Sequence, residues 1–334
     1  MQEFRKDPIT GRWVIISTER ARRPHAFASP SKRLPIAAGP SPFAAGQEAQ
    51  AQPELLAYHH GEAGAWSLRV VPNRYPALRV EGTLEFEGDG MYDQMSGIGA
   101  HEVIIETPDP EMALADLPEA RIADLFWAFR DRVNDLKRDA RLRYMVMFKN
   151  HGEDAGATIA HSHSQLIALP VVPRFTEEEM AGGLRYFDYR HRCIYCDMLK
   201  QELQEHSRIV TSNDGFVAMA PYASRFPFET WVMPRRHASH FESLTDNEVR
   251  QLAATMKQVL QRLNQTLEKP AYNFVIHSAP VQDAPIEHYH WHIEIIPRVV
   301  RVAGFEWSTG IYINPTAPEE AAAFLRDARP SERA

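Results

Sequence analysis

Residues 161–168 read HSHSQLIA and residues 288–296 read HYHWHIEII, so in both stretches histidines at alternate positions lead into an apolar run. Alternate residues of a β-strand point to the same face of a sheet, so each stretch predicts a strand that opens with a row of polar side chains. Each stretch also closes the same predicted series of strand, helix, strand and loop. The sequence therefore predicts an α+β fold made by tandem duplication of one unit, with helices packed on one side of an antiparallel sheet.

The two predicted units follow one another along the chain, as residues 1–175 and 176–334. The helices are marked by apolar residues that recur every three or four positions, and the second opens with the capping-box pair Thr245 and Glu248. The predicted elements of both units are strands at 101–106 and 144–149 with a helix at about 119–138, and strands at 229–233 and 273–277 with a helix at about 245–264. Further strands are predicted at 12–18 and 67–71, and a long loop at 28–56.

The composition excludes several classes of protein. A net charge of −7 over 334 residues argues against a nucleic-acid or membrane-surface partner. No apolar run approaches the roughly 20 residues that cross a bilayer, and the N-terminus has no apolar signal segment. Two residues separate the only cysteines, Cys193 and Cys196, and this spacing suits metal binding or redox chemistry in a reducing compartment. We therefore expect a cytoplasmic protein.

The first histidine row is the candidate catalytic site. His161, His163 and Gln165 are expected on one face of their strand, just after a loop, NHGEDAGAT at 150–158, whose small residues let backbone N–H groups approach an anion. Such a loop beside an imidazole is what phosphoryl transfer needs. A strand histidine is more often structural, and an H-x-H pair is often a metal pair. Gln165 weighs against a metal triad because an amide is a poor zinc ligand.

Nearly the whole chain resembles galactose-1-phosphate uridylyltransferases, the transferase branch of the histidine-triad superfamily. Hydrolases of that superfamily carry H-x-H-x-H, whereas the transferases carry H-x-H-x-Q, the form found at His161, His163 and Gln165. Similar stretches elsewhere are DPITGRW at 7–13, RARRP at 20–24, VPN at 71–73, FKN at 148–150 and FPFET at 226–230. The chain also resembles ADP-glucose phosphorylases.

The resemblance implies ping-pong nucleotidyl transfer. His163 would attack the α-phosphorus of a nucleotide sugar, sugar 1-phosphate would leave, and a phosphate-bearing acceptor would then take the nucleotide. Gln165 would hold the transferred phosphoryl group, and His161 would orient His163 through its backbone. The family positions that contact the nucleotide and its phosphates are occupied by Arg20, Arg23, Asn73, Asn150, Gly156 and Thr158, the last where serine is usual.

The resemblance also implies zinc. A first-unit site in the family uses a Cys-x-x-Cys and two histidines, but here Ser41 and Ala44 replace the cysteines. Only His101 and His161 remain, and two histidines alone rarely hold structural zinc, so we expect this site to be empty.

The second unit carries two competing metal sets. The resemblance to ADP-glucose phosphorylases implies one Zn²⁺ bound by Cys193, Cys196, His237 and His290. The rival set, implied by bacterial uridylyltransferases, is Glu179, His277, His290 and His292. Because His290 belongs to both, we do not expect both sites to be complete at once. A redox Cys-x-x-Cys is a further alternative, although it lacks its usual βαβ context.

Specificity stays open at this stage. The segment GFEWSTGIYINP at 304–315 is implied to contact the sugar through Glu306 and Asn314, and in the family it often reaches the other subunit of a homodimer. Glu306 matches uridylyltransferases, whereas the following residues resemble ADP-glucose phosphorylases. The leading expectation is a UDP-glucose–hexose-1-phosphate uridylyltransferase acting on a nucleotide sugar and a sugar 1-phosphate.

Three other hypotheses compete with this expectation. The first is an ADP-glucose phosphorylase-like enzyme that transfers adenylyl to phosphate, or a nucleotide-sugar hydrolase on the same scaffold. The second makes the row at 288–292 catalytic, but its preceding loop is poor in glycine. The third is a zinc-stabilised binding module without catalysis, which Gln165 and the phosphate loop argue against.

Overall fold

The computed structural model describes residues 2–22, 41–48, 52–60 and 65–328, so Arg23 and most of the loop predicted at 28–56 lie outside the described residues. Within those ranges, no helix combines the length and apolar character needed to cross a bilayer.

The described residues form fifteen strands. Their bounds are β1 Gln2–Lys6, β2 Trp13–Ser17, β3 Leu56–His59, β4 Trp66–Pro72, β5 Phe86–Asp89, β6 Tyr92–Met95, β7 Ala100–Ile105, β8 Tyr144–His151, β9 His163–Leu169, β10 Ile209–Ser212, β11 Phe216–Met219, β12 Thr230–Pro234, β13 Tyr272–His277, β14 His292–Pro297 and β15 Tyr312–Asn314. The α-helices are α1 Glu119–Leu136, α2 Arg174–Arg190, α3 Ile194–Glu205, α4 Asp246–Thr266, α5 Gly304–Thr309 and α6 Pro318–Asp327.

One ten-stranded antiparallel sheet runs through both units, in the order β10-β11-β12-β14-β13-β8-β9-β7-β4-β3. The halves join at β8 and β13, where Asn150 pairs with Asn273 and Phe148 with Val275. The two units thus share a sheet and a core. A separate three-stranded sheet has the order β1-β2-β15.

Helices cover both faces of the large sheet. Helices α1 and α4 pack with one face in a core that includes Phe126, Met256 and Trp291. Alternate residues of β11 and β12 point the other way, so Trp231 packs with Tyr195 of α3 on the opposite face. The α+β class and the antiparallel sheet are confirmed, but the prediction of helices on one side is wrong, because α2 and α3 cover the second half of the other face.

The predicted repeat elements are confirmed to within a few residues. The helix predicted at about 119–138 is α1, and the one at about 245–264 is α4. The capping box is formed, since Thr245 Oγ1 accepts from the Glu248 backbone at 3.3 Å and Glu248 Oε2 accepts from the Thr245 backbone at 2.9 Å. These contacts satisfy two donors that the first turn leaves free.

Two consecutive glycines of α2 fix how closely this helix packs in the second half, although no sequence pattern indicated them. Gly182 and Gly183 lie on α2, where an added Cβ would come within 1.9 Å of the Ile9 carbonyl oxygen and 2.2 Å of the His288 carbonyl oxygen. Only hydrogen fits at both positions, so α2 approaches the N-terminal turn and the second histidine row as closely as backbones allow.

Candidate active site and metal centre

His163, the candidate nucleophile, lies at the start of β9. Its Nδ1 lies 2.8 Å from the carbonyl oxygen of His161, which can only accept, so Nδ1 carries the hydrogen and Nε2 keeps its lone pair. Burial, followed by the charge of Lys149, lowers the pKa of His163 below its ordinary value. The ring is 8% exposed. A neutral imidazole with an unprotonated Nε2 is the form that attacks phosphorus.

Gln165 is oriented by His101 of the neighbouring strand β7. His101 Nε2 lies 2.8 Å from Gln165 Oε1, and the Ala77 backbone N–H donates to His101 Nδ1 at 3.2 Å. A ring that accepts at Nδ1 donates from Nε2, so the amide oxygen of Gln165 is engaged and its NH₂ is left to donate. Asn73 Nδ2 lies 3.1 Å from the same His101 nitrogen, which brings Asn73 beside Gln165.

The glycine loop sits at the end of β8, beside His163. Gly152 and Gly156 have φ angles of 84° and 85°, which favour glycine, and the turn between them closes with the Ala157 N–H on the Gly152 carbonyl at 3.1 Å. The second half braces this loop, since Asn273 Nδ2 donates to Asn150 Oδ1 and to the Ala155 carbonyl, each at 2.8 Å. Gly156 and Thr158 are exposed.

The structural counterpart of the first row is His290-x-His292-x-Glu294, two residues beyond the alignment that the sequence suggested. β14 begins at His292 as β9 begins at His163, and His292 Nδ1 contacts the His290 carbonyl at 3.1 Å. Gln165 and Glu294 occupy equivalent registers, opposite Phe148 and Val275. His288 therefore lies outside the second row.

The thiol cluster consists of Cys193, Cys196, His237 and His290, and its distances fit a tetrahedral zinc site. Cys196 Sγ lies 3.4 Å from His237 Nδ1 and 3.5 Å from His290 Nδ1, close to the roughly 3.5 Å that tetrahedral Zn–S and Zn–N bonds give. Both rings donate from Nε2 to backbone carbonyls, of Ile286 at 3.2 Å and Pro234 at 3.0 Å. Such outer contacts hold the ligand nitrogens in place. Hydrogen bonds from Cys196, then His237 and His290, lower the pKa of Cys193, which favours a thiolate.

A second cluster lies beside it, without His290. The ligand atoms of Glu179, His277, His292 and Glu294 lie within 4.8 Å of one another. Glu294 takes the place that the rival set gave to His290, so the rival set does not form as predicted and the two observed clusters share no residue. His292 Nε2 is buried and, within the described residues, makes no hydrogen bond.

Ion pairs fill this second cluster. Although burial lowers the pKa of His277, the Glu179 and Glu294 carboxylates raise it well above its ordinary value, so the ring is an imidazolium. His277 Nδ1 lies 3.1 Å from Glu179, and Arg225 pairs with Glu294. A cavity of about 310 Å³ opens here, lined by Glu229 among others.

Family models cover most of the chain. The model of the galactose-1-phosphate uridyl transferase N-terminal domain matches residues 57–173, and that of its C-terminal domain matches residues 180–325. The chain belongs to the galactose-1-phosphate uridyl transferase family. The predicted relationship and the prediction of a transferase are both confirmed.

Two relatives and two solved structures are similar to this transferase over most of its length. An ADP-glucose phosphorylase of Arabidopsis thaliana is 37% identical over 330 residues, covering 97% of this chain and 92% of that protein. A galactose-1-phosphate uridylyltransferase of Thermotoga maritima is 28% identical over 337 residues, with 98% of each chain covered. The Arabidopsis phosphorylase crystallised with ADP-glucose superposes with a TM-score of 0.84 at 34% identity, covering 98% of this chain and 99% of that chain. A uridylyltransferase structure gives 0.77 at 28% identity, with 98% of each chain covered.

The two histidines that remain from the family's first zinc set, His161 and His101, lie in different surroundings. His161 Nδ1 lies 3.0 Å from Ser41 Oγ, and its Nε2 contacts the Thr107 carbonyl at 2.7 Å. His101 instead contacts Gln165. The two side chains therefore contact different groups, and the expectation that this site is empty stays a prediction.

Two of the predicted ligand contacts, Arg20 and Glu306, lie beside the small sheet. Arg20 follows β2 and Glu306 lies on α5 next to β15, while Glu306 Oε2 accepts from the Ala303 backbone at 3.1 Å. Arg5 fastens this sheet to the second half, where its Nη1 donates to the Tyr222 carbonyl at 3.2 Å and to Glu319 at 2.8 Å. Arg20 and Glu306 are thus attached to the half of the chain that lacks His163.

Asn314 does not act as predicted. It is 1% exposed, its Nδ2 donates to the carbonyls of Ser224 and Phe226 at 3.0 and 3.2 Å, and its Oδ1 accepts from the Thr316 backbone at 2.9 Å. Its amide is committed to the protein backbone, so Asn314 ties β15 to the loop before β12 and is not available to a sugar.

Sequence reasoning missed Asn273 and Glu294. Glu294 follows His292 by two residues, the spacing of Gln165 after His163, and this was the signal that could have aligned the two rows. Asn273 carried no signal of its own, because its role depends on the pairing of β8 with β13.

Proposed function

We propose that this transferase moves a nucleoside monophosphate from a nucleotide sugar to a phosphate-bearing acceptor through a covalent adduct on His163. His163 Nε2 forms a bond to the α-phosphorus while the bond from phosphorus to the sugar 1-phosphate oxygen breaks, and sugar 1-phosphate leaves with the electron pair. An acceptor phosphate oxygen then displaces the imidazole. The observation that carries this proposal is the hydrogen bond from His163 Nδ1 to the His161 carbonyl, which leaves Nε2 bare.

Gln165 and the glycine loop act on the anion. The NH₂ of Gln165 donates to a phosphoryl oxygen as charge builds, and the loop at 152–158 offers backbone N–H groups. Asn73, Asn150, Gly156 and Thr158 bind the nucleotide and its phosphates. Burial keeps His163 unprotonated near neutral pH. These groups stabilise transferred charge without adding a carboxylate that would repel it.

We infer that ADP-glucose is the donor and inorganic phosphate the acceptor. The support is the 37% identity to the Arabidopsis ADP-glucose phosphorylase over 97% of this chain, against 28% to the Thermotoga uridylyltransferase. The second candidate is uridylyl transfer from UDP-glucose to a hexose 1-phosphate, which Glu306 favours because it matches the hexose-contacting glutamate of that branch.

A zinc ion at Cys193, Cys196, His237 and His290 would hold α3 to the segments before β14 and after β12. When bound, it supplies a structural tie and no chemistry at His163. The matched spacing of sulfur and nitrogen atoms and the carbonyl-bound Nε2 atoms support this assignment.

We further propose a homodimer in which Arg20 and Glu306 of one copy complete the His163 site of the other. Their attachment to the second half supports this, as do the exposed Phe305 and Trp307 of α5, 44% and 78% exposed. Mixing His163→Gln with Arg20→Ala chains tests it. Random reassociation places both variants in half the dimers, each with one intact site, so about a quarter of wild-type activity should return.

The donor and acceptor are tested together. The enzyme is incubated with ADP-glucose or UDP-glucose, and turnover is compared with phosphate, galactose 1-phosphate and water as acceptors. We expect ADP-glucose with phosphate to be the fastest pair by at least about 100-fold, the discrimination that well-placed hydrogen bonds provide. Faster turnover of UDP-glucose with galactose 1-phosphate would establish the second candidate, and no turnover with any pair would refute the function.

A further inference from the structure

The two serines between the residues of the first row, Ser162 and Ser164, form a separate set of contacts. Ser162 and Ser164 alternate with the row, so they point to the opposite face of the sheet, where they are 5% and 0% exposed. Both hydroxyls donate to the same carboxylate, Ser162 to Glu106 Oε2 and Ser164 to Glu106 Oε1, each at 2.5 Å. The strand that carries His163 is thus held at both serines, on the face of the sheet opposite the histidine row.

Lys149 completes this network from β8. Its ammonium has three hydrogens and three acceptors, namely Glu106 Oε2 at 2.8 Å, Ser162 Oγ at 3.1 Å and the His163 carbonyl at 2.9 Å. Lys149 and Glu106 are each 1% exposed. Every donor of Lys149 is used, and one of them holds the peptide of the nucleophile itself.

Stability alone gives little reason to bury such a pair. The cost of desolvating two charges roughly cancels their attraction, and apolar residues of similar size often serve a core equally well. Here, however, the contacts converge on Ser162, His163 and Ser164. That convergence points to a role in holding the catalytic strand.

The same pair sets the field at His163. The charged and titratable groups that act on the pKa of its ring are Lys149 from β8, Glu106 after β7 and His161 just before β9, while Phe43 from the segment 41–48 lies against the ring. Lys149 lowers the pKa of His163 more than Glu106 raises it. The pair as a whole therefore favours the neutral ring.

We propose that Lys149 and Glu106 are positioning residues for nucleotidyl transfer, which hold the spacer serines and the His163 carbonyl so that His163 and Gln165 face the ligand. The proposal rests on the function proposed for His163. It assigns Lys149 and Glu106 no contact with substrate.

The main test neutralises both charges together, so that neither is left buried alone. The variant Lys149→Met with Glu106→Gln keeps side-chain volume and keeps an acceptor for the serines. At saturating nucleotide sugar, the rate of adduct formation should fall about 100-fold, with KM within about threefold of wild type, because the loss lies in orientation rather than binding. The acid limb of the pH–rate profile should also move to higher pH.

Serine variants provide a matched control that leaves the ion pair in place. Ser164→Ala removes one hydroxyl from Glu106 and should slow adduct formation about tenfold. Ser224→Ala removes an equally buried hydroxyl, one that donates to the Pro221 carbonyl, and should leave the rate unchanged. If the double variant does not fold, this pair of variants decides the question alone.

The proposal is overturned if the double variant transfers at the wild-type rate with an unmoved acid limb, or if Ser164→Ala and Ser224→Ala behave alike. Failure of the proposed function gives a different result, since wild-type enzyme would then form no adduct. In that case NMR titration of His163 in histidine-labelled protein still tests the network, because the protonation midpoint of His163 should rise in the double variant without any turnover.

Discussion

The two halves of the sheet present equivalent rows of three side chains that differ at the third position and in their surroundings. In the first half, Gln165 meets His101 at 2.8 Å beside a glycine loop. In the second half, Glu294 occupies the register of Gln165 and meets Arg225 and an imidazolium at His277. Histidines alone therefore do not determine the chemistry. A neutral amide donor beside backbone N–H groups favours a phosphate, whereas a carboxylate in the same register repels one.

The largest expected difference in transfer rate is between two variants, each of which replaces the histidine that opens β9 or β14 with glutamine. His163→Gln should lower transfer by at least about 10⁴-fold, because the attacking nitrogen is lost, whereas His292→Gln should stay within about tenfold of wild type. Steady-state rates with the best donor and acceptor pair measure both variants. Comparable losses in the two would remove the distinction between the halves.

Making the first row resemble the second should have the next largest effect on the transfer rate. Gln165→Glu replaces an amide donor with a carboxylate beside the transferred phosphoryl group, and we expect the rate to fall about 10²- to 10³-fold. The matched change Glu294→Gln should leave the rate within about threefold, since it lies in the half without the nucleophile. An active Gln165→Glu enzyme would show that Gln165 does not donate to the phosphoryl group.

Removing a thiolate should affect stability rather than chemistry. Cys193→Ser should release the bound zinc and lower the melting temperature by about 10 °C, a loss of a few kcal/mol in a chain of this size. Elemental analysis and a thermal melt check the two expectations. Zinc retained by Cys193→Ser would assign the metal to the neighbouring carboxylate cluster instead.

The pH dependence of adduct formation should reflect the environment of His163. Burial, and then Lys149, lower its pKa below 6.5, so the neutral nucleophile persists as the pH falls. The midpoint of the acid limb should therefore lie below 6.5. A midpoint at 6.5 or above would mean that the ring titrates like an exposed histidine.

The smallest expected effect is at Thr158. Thr158→Ser keeps the hydroxyl and removes a methyl group at an exposed position, so activity should change by less than about twofold. Thr158→Val keeps the shape and removes the hydroxyl, so it should be slower. Equal rates for serine and valine would exclude a contact from this hydroxyl to phosphate.

The sequence predicted the elements well because apolar periodicity is local, and α1 and α4 fall where it placed them. The placement of His163 and Gln165 on one face of their strand was also predictable from their alternation, while their roles stay predictions. The register of the second row was not, because His288, His290 and His292 offer two alignments and only strand pairing selects one. The ties made by Asn314 and Asn273 depend on contacts between distant segments, which a linear pattern does not contain.

Mapping the covalent adduct tests the central claim most directly. Wild-type enzyme is incubated with ADP-glucose or UDP-glucose without acceptor, and its peptides are then analysed by mass spectrometry. We predict one nucleoside monophosphate on the peptide containing His163 and none on the peptide containing His292. An adduct on His292, or no adduct on either peptide while transfer proceeds, would contradict the assignment of the chemistry to the first row.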